Sequence, residues 1–402
     1  MKKVFILIIF IITISISNVY AEKLNIYSDN AILYNIEENK VMYEKNPDEK
    51  VQIASMTKVM TALVVLEHEK DLQKEINFKN VDFDFLKDED LSVSTLNRKK
   101  TYTYKEFLYS FILESSADCG YALALDVAKT NKNFSKLMNE KAKELGMKNS
   151  KFNNPIGLDD EKNHYSTMND MLILMKAALA NETLKKIMST MKYKIDNDYI
   201  YHTIYGYQKK FNLKMPYLTG GKTGFNDIPG YALASFAEKN DSSYILVTTN
   251  ASYEYDNPKH LKDAKKIYEY YFNNYGYHTV IDKDNLFITF NTKYLKEKKI
   301  RIKSKEDVVL LLNNNYKEDD IKYDYTGIKT ITNHNKKGDF LGTIKVYYKD
   351  DVKKEIKIYL DKDIHKNIIG FIEYHKYIII ASLCYITIII STIIILRKIK
   401  KH

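Results

Sequence analysis

Tryptophan is absent from this chain, and only two cysteines and five prolines stand among its 402 residues. The missing tryptophan, beside abundant Ile, Asn, Lys and Tyr, reads as a compositional bias of the coding genome. Cys119 and Cys384 are too few for a disulfide framework, the more so because Cys384 falls inside a C-terminal apolar segment. An exported protein without disulfides suits a bacterial surface better than a eukaryotic secretory lumen. Thirteen glycines and five prolines, with 45% hydrophobic and 28% charged residues, exclude a low-complexity or disordered chain. No glycine-rich nucleotide-binding pattern, metal-ligand cluster or strong internal repeat is found, so no cofactor and no metal is expected. A net charge of +10 suits a polyanionic surface, either an anionic membrane face or a wall polymer. Nucleic acid is set aside as a partner, because no zinc finger, RRM or arginine-rich segment accompanies the charge, most of which is lysine.

Two segments point to a membrane. Met1-Lys2-Lys3, an apolar run from Val4 to about Ile16, and Val19-Tyr20-Ala21 before Glu22 make a secretory signal over 1–21. Near the other end, Tyr377 to Leu396 carries no charge and as a helix spans about 30 Å. Arg397-Lys398-Ile399-Lys400-Lys401 follows at once. Positive residues stay on the cytoplasmic side, so a tail over 397–402 is expected inside and the body outside. The expectation is a single-pass protein of a bacterial cell membrane, held in the lipid bilayer by a transmembrane helix over 377–396.

Between these segments the periodicity changes twice. Ala31–Ile36 and Lys40–Tyr43 read as a strand hairpin. Ser55 to about Glu69 is apolar at helical spacing, and further helices are expected over Tyr104–Leu113, Gly120–Lys129, Asn133–Leu145 and Thr167–Leu179. Strands return at Tyr231–Ala237 and Ser243–Thr248, before a helix over Asp256–Tyr271. Strands, helices, then strands predict an α+β body over 22–275, an antiparallel sheet with a helical domain, and exclude a doubly wound parallel fold. Short β-like runs separated by charged or Asn-rich turns predict a small all-β domain over 276–368. His164 and His68 read as structural or solvated rather than as ligands.

The chemistry is carried by three short motifs. Ser55-Met56-Thr57-Lys58 puts a hydroxyl and an amine three residues apart, on one face if the segment is helical. Serine is a weak nucleophile without a base beside it, and a lysine serves as that base only if burial or a second positive group keeps it neutral. Lys222 could be that second group. Taken alone, Ser55 could be a helix N-cap and Lys58 a surface residue. Gly220-Gly221-Lys222-Thr223-Gly224 lets backbone approach a ligand and offers an ammonium and a hydroxyl to a carboxylate. Backbone N–H groups alongside could hold an oxyanion. Ser116-Ala117-Asp118 lies between the two.

On these motifs the chain resembles the serine-type D-alanyl-D-alanine carboxypeptidases, the low-molecular-mass penicillin-binding proteins. The matching stretches are Ile53 to Leu63, Asn154-Pro155 with Gly157-Leu158-Asp159, His164 to Thr167, and Gly221 to Gly224 with Gly230-Tyr231. The segment with Lys337-Gly338-Asp339 and Gly342 resembles the family's accessory β domain. The resemblance implies a penicillin-binding-protein/β-lactamase-like transpeptidase fold and peptidoglycan stem peptides as substrate, with β-lactams as covalent inhibitors. It implies Ser55 as nucleophile, Lys58 as base and Ser116 as proton shuttle. It implies Lys222 and Thr223 as the carboxylate receptor, in the close backbone of Gly224, with an oxyanion hole from the N–H groups of Ser55 and Phe225.

The family pattern at the second motif is S-x-N, and here Asp118 stands where asparagine would bind the substrate amide. An ionised carboxylate cannot donate, and near Lys58 it would favour the charged amine. Asp118 could instead be protonated or paired with Lys222. Shifting the register to Ser115 puts alanine at the third position, and Ile156 replaces a commonly polar residue. Two other readings are a tethered wall-binding or β-lactam-binding protein with little turnover, and a serine β-lactamase. The latter is disfavoured by the missing E-x-x-L-N run.

Overall fold

The computed structural model describes residues 24–158, 163–226, 230–254, 256–365 and 367–399. The signal-like segment 1–21, Asp159 and the last three residues of the basic tail lie outside the described residues. The chain divides into two compact units between Phe272 and Asn273.

In the first unit β1 (Asn30–Asn35) and β2 (Lys40–Lys45) form the expected hairpin. The central helix α1 (Thr57–His68) follows; every residue from Thr57 to Leu66 is buried, the mark of a helix enclosed on all sides. A short ladder of β3 (Glu75–Ile76) and β4 (Tyr102–Thr103) brackets α2 (Phe83–Asp88). Then come α3 (Tyr104–Leu113), α4 (Ala117–Ala128), α5 (Asn131–Leu145), α6 (Met168–Ala180) and α7 (Glu182–Met188). Their ends are set locally. Thr103 and Glu106 form a reciprocal capping box at α3, and the Thr130 and Thr167 hydroxyls accept from the third N–H of α5 and α6. Gly146, at φ +86°, ends α5 in the left-handed conformation.

A second hairpin, β5 (Lys192–Ile195) with β6 (Asp198–Tyr201), leads into α8 (Thr203–Lys210). The chain then returns to the sheet as β7 (Leu218–Asn226), β8 (Gly230–Lys239) and β9 (Ser242–Ala251), and closes with α9 (Lys259–Asn274). The five strands are antiparallel in the order β2-β1-β9-β8-β7, so the K-T-G segment occupies an edge strand. This is the expected α+β arrangement. One sheet face packs on the helices through Ile32, Ala234, Phe236, Ile245 and Val247.

The second unit holds β10 (Tyr275–Ile281), β11 (Phe287–Lys293), β12 (Lys299–Lys303), β13 (Val308–Asn313), β14 (Ile321–Gly327), β15 (Thr330–Thr332), β16 (Phe340–Tyr348) and β17 (Asp351–Tyr359). They form three small sheets, β10-β13, β12-β11-β15 and β14-β16-β17. Strict alternation shows in β12, where Ile300 and Ile302 are buried between exposed Lys299, Arg301 and Lys303. The helix α10 (Ile368–Ile399) follows. It opens upstream of the charge-free run, because Ile368 to Lys376 holds no proline or capping break that would stop a helix. Its 26-residue stretch Ile372–Arg397 is long and apolar enough to cross a membrane, and none of that stretch is buried in the protein.

The tightest local constraint lies in the loop after α5. Gly157 has φ +88°, and a Cβ there would run into the Ala54 carbonyl. Replacing it with alanine strains the backbone and displaces the residue before Ser55. Gly157→Ala is therefore expected to lower unfolding stability by about 2–3 kcal/mol. In denaturant titrations the midpoint should fall, and at temperatures where the variant is folded Ser55 should react more slowly; wild-type values for both would show that this loop does not hold the turn.

Candidate active site

Ser55 does not cap α1. It lies in a single 3₁₀ turn, Ala54–Met56, that precedes the helix, and the N-cap residue Met56 has no side chain able to cap. The turn is strained: Ala54 has φ +46°, a region an alanine seldom adopts. Ser55 thus stands at the N-terminal end of α1, where N–H groups have no intrahelical acceptor and the helix dipole favours negative charge.

Lys58, one turn on, has its Nζ 2.6 Å from Ser55 Oγ and donates to the Ile156 carbonyl at 3.0 Å. It is 3% exposed. Burial lowers its pKa to about 7, while the Asp118 carboxylate acts in the opposite direction. The carbonyl of Ile156 is presented by a loop shaped from within. Asn154 Oδ1 accepts from the N–H groups of Ile156, Gly157 and Leu158 at 3.2, 2.8 and 2.9 Å. Thr61 Oγ1 donates to the Pro155 carbonyl at 2.6 Å, so α1 and this loop are joined on both sides of Lys58. His164 is buried and structural: its Nδ1 accepts from the Asn153 N–H, which leaves Nε2–H to meet Thr57 Oγ1 at 2.7 Å. The isoleucine in place of a polar residue at 156 is immaterial to this geometry, because its backbone makes the contact.

The K-T-G strand approaches Ser55 directly. A Cβ on Gly224 would sit 3.1 Å from the Ala54 Cβ and 3.3 Å from the Ile53 carbonyl, so only glycine lets β7 close on the turn without displacement. Lys222 is fully buried, and its Nζ donates to the Thr223 carbonyl at 2.8 Å. Burial, and then the nearby Lys58, lower its pKa well below the ordinary lysine value. Thr223 Oγ1 is 2.8 Å from Thr203 Oγ1. His202 holds this second threonine in place: its Nε2 meets the Gly221 carbonyl at 2.9 Å and its Nδ1 accepts from the Ile204 N–H. Burial and Lys222 push His202 down to about 3, which keeps it neutral. Phe225 is half exposed, with its ring 5.3 Å from Tyr231 and 5.1 Å from Tyr253, and its backbone lies on the sheet's open edge.

The second motif is arranged differently from the sequence expectation. Ser116 begins α4 as its N-cap and is fully buried. Its hydroxyl meets Ser110 Oγ at 3.2 Å; Ser110 gives its own proton to Glu114, so Ser116 donates to Ser110. No hydrogen bond joins Ser116 to Ser55, Lys58 or Lys222 among the described residues. Asp118 is 1% exposed and is not offered to a ligand. Its two carboxylate oxygens accept from the N–H and hydroxyl of Ser94 at 2.9 and 2.7 Å, clamping the segment before α3. It does not pair with Lys222. Burial raises its pKa, against the two Ser94 bonds. Ser115, by contrast, is partly exposed, has φ +61° and makes no hydrogen bond among the described residues.

The arrangement joins a nucleophilic hydroxyl, a desolvated amine, a helix N-terminus and an open strand edge beside paired threonines, as acyl transfer to serine requires. Thr203, His202 and Ser94 belong to no short motif, and only their fold neighbours reveal them. Residues 17–253 match the family described as D-alanyl-D-alanine carboxypeptidase, and residues 275–366 match the C-terminal domain of penicillin-binding protein 5. The chain is 29% identical over 356 residues to the D-alanyl-D-alanine carboxypeptidase DacF of Bacillus subtilis, covering 86% of this chain and 88% of that one. It is 27% identical over 256 residues to a D-alanyl-D-alanine endopeptidase of Escherichia coli, covering 61% and 78%. Among solved structures, penicillin-binding protein 5 of Haemophilus influenzae superposes with a TM-score of 0.60 at 20% identity, over 85% of this chain and 99% of that one. The shared fold and the family match over most of the first unit agree with the site, and the chain belongs to the D-alanyl-D-alanine carboxypeptidase family.

Proposed function

We propose that this protein removes the terminal D-alanine from peptidoglycan stem pentapeptides through an ester on Ser55. The observation that carries the reading is the 2.6 Å contact between Ser55 Oγ and a Lys58 amine whose pKa is lowered to about 7. Ser55 Oγ attacks the carbonyl carbon of the D-Ala–D-Ala bond and Lys58 Nζ takes its proton. The N–H groups of Ser55 and Phe225 receive the oxyanion. The C–N bond then breaks, the departing D-alanine nitrogen takes a proton, and water hydrolyses the ester to return Ser55. Lys222, Thr223 and Thr203 receive the terminal carboxylate. A β-lactam would acylate the same hydroxyl.

Ser115, rather than Ser116, is the second hydroxyl in this reading, because Ser116 is committed to Ser110 and Ser115 is not. Asp118 then acts only through its charge on Lys58 and its hold on Ser94. The helix α10 would anchor the protein in the bilayer, with the body outside and the basic residues from Arg397 inside, since charges of that sign flank the apolar run.

Three measurements test these assignments. Wild-type protein supplied with a pentapeptide ending in D-Ala–D-Ala should release D-alanine, and Ser55→Ala should abolish both release and covalent β-lactam labelling. Labelling that persists in folded Ser55→Ala would move the nucleophile elsewhere. For the adjacent serines, acylation rates should fall about 100-fold or more in Ser115→Ala and less than about threefold in Ser116→Ala, within the usual range for a proton-transfer group; the reverse order would restore Ser116 as the shuttle. Finally, the base must be neutral, so kcat/KM should decline about tenfold per pH unit below about 7 and level off above it. Asp118→Asn keeps the bond from the Ser94 N–H, reverses the other so that the amide NH2 donates to Ser94 Oγ, and removes the charge that raises the amine. Its limb should move to lower pH, and an unmoved limb would separate Asp118 from Lys58.

A further inference from the structure

Beside the active-site strand lies a face of tyrosine and lysine for which catalysis has no use. In the β5–β6 hairpin Lys192 pairs with Tyr201 and Lys194 with Tyr199. Side chains alternate across a strand, so these four share one face. Ile195 and Ile200 are buried on the other face, where Tyr193 stacks on buried Tyr109 at 3.7 Å. The outer four are all exposed, Tyr199 at 50% and Tyr201 at 48%. Tyr205, on the first turn of α8, stacks on Tyr201 with centroids 5.9 Å apart and planes within 14°. Lys192 Nζ lies 5.2 Å from the Tyr199 ring centre. Neither Lys192 nor Lys194 forms an ion pair among the described residues.

This face is continuous with the site. Tyr201 and Tyr205 flank His202 and Thr203, and those two residues hold β7 at the Gly221 carbonyl and the Thr223 hydroxyl. The platform and the carboxylate receptor are thus adjacent along the chain, joined through His202 and Thr203. Exposed rings fixed by packing on one another present apolar area at little conformational cost, with phenol hydroxyls at the edges. Pyranose rings match that surface, because their axial C–H groups form an apolar face and their hydroxyls an equatorial rim. Two ammonium groups beside the rings, without an ion-pair partner among the described residues, add attraction for carboxylates carried along the same polymer.

We infer that Lys192, Lys194, Tyr199, Tyr201 and Tyr205 form a docking platform for the polysaccharide strand of the wall, which delivers stem peptides to Ser55. The inference rests on the carboxypeptidase reading for the identity of the polymer. The platform raises the encounter of the site with polymer-linked peptide and contributes nothing to a peptide free of sugar.

The test uses the full chain in detergent, two separate readouts on wall material and a binding control with phosphatidylglycerol vesicles. The first is cosedimentation with purified insoluble peptidoglycan, which needs no turnover. The second is the ratio of D-alanine release from polymer-linked and free pentapeptide. Tyr199→Ala/Tyr201→Ala should weaken cosedimentation about tenfold and lower the rate ratio by a similar factor, with β-lactam labelling of Ser55 confirming the fold. Tyr199→Phe/Tyr201→Phe should restore most of the binding, and Lys192→Gln/Lys194→Gln should flatten its salt dependence. Cosedimentation equal to wild type in the double alanine variant would overturn the platform. So would a loss confined to phosphatidylglycerol vesicles, which would make the face a membrane contact instead. Wild type that releases no D-alanine but sediments through these tyrosines would sink the carboxypeptidase reading and leave the surface standing.

Discussion

Desolvation of two lysine side chains is the constraint from which the first unit is organised. Lys58 and Lys222 are 3% and 0% exposed, and an isolated charge so placed costs several kcal/mol. Among the described residues no carboxylate pairs with either of them. The fold gives each a backbone carbonyl, Ile156 for Lys58 and Thr223 for Lys222, and lets burial lower both pKa values. A carbonyl is a weak partner for a cation and an adequate one for an amine. The surroundings of both lysines therefore favour the neutral amine over the ammonium.

That solution makes demands on the backbone. The Ile156 carbonyl is useful only where it is held, and Asn154 holds it by tying three successive N–H groups to one oxygen. Ser55 reaches Lys58 only because Ala54 accepts a left-handed φ, and because Gly157 and Gly224 leave room on both sides of the turn. Strain of about 1–3 kcal/mol at such a residue persists only when its surroundings over-determine it. Here α1, the Asn154 loop and the edge strand β7 enclose the turn.

Much of this is legible in the sequence, for reasons that also mark where legibility ends. The apolar run over Tyr104–Leu113, almost wholly buried, gives that helix to the residue, and alternation gives most of the second unit's strands, as in β12, which buries one face and exposes the other. Short β15 and the start of β10 carry too few residues to show a period. The Ser55–Lys58 spacing survives a misreading of its local structure, since a 3₁₀ turn running into a helix still brings residues three apart together. Spacing does not decide the second motif. Ser115 and Ser116 are chemically identical, and only the φ of +61° at Ser115 decides which hydroxyl is turned inward onto Ser110. The role of Asp118 depends on Ser94, 24 residues upstream, and that of Thr203 depends on β7. Side-chain contacts made across a fold leave no mark on local spacing.

The carboxylate at 118 is then best understood through its opposition to burial. Burial drives the Lys58 amine toward the neutral form, and Asp118 draws it back. A general base works best when its pKa lies near the ambient pH: a higher value leaves it protonated, and a lower value leaves it too weak to take the proton. The balance of the two effects sits at about 7. Asp118 is placed to adjust this balance without entering the site, since both of its oxygens are spent on Ser94 and it makes no hydrogen bond to Lys58 among the described residues. An asparagine at this position would keep the clamp and lose the adjustment. With Ser115 as the second hydroxyl, Ala117 takes the third place of the S-x-N pattern and Asp118 lies one residue beyond it, so its charge adds to the pattern and does not stand in for the amide.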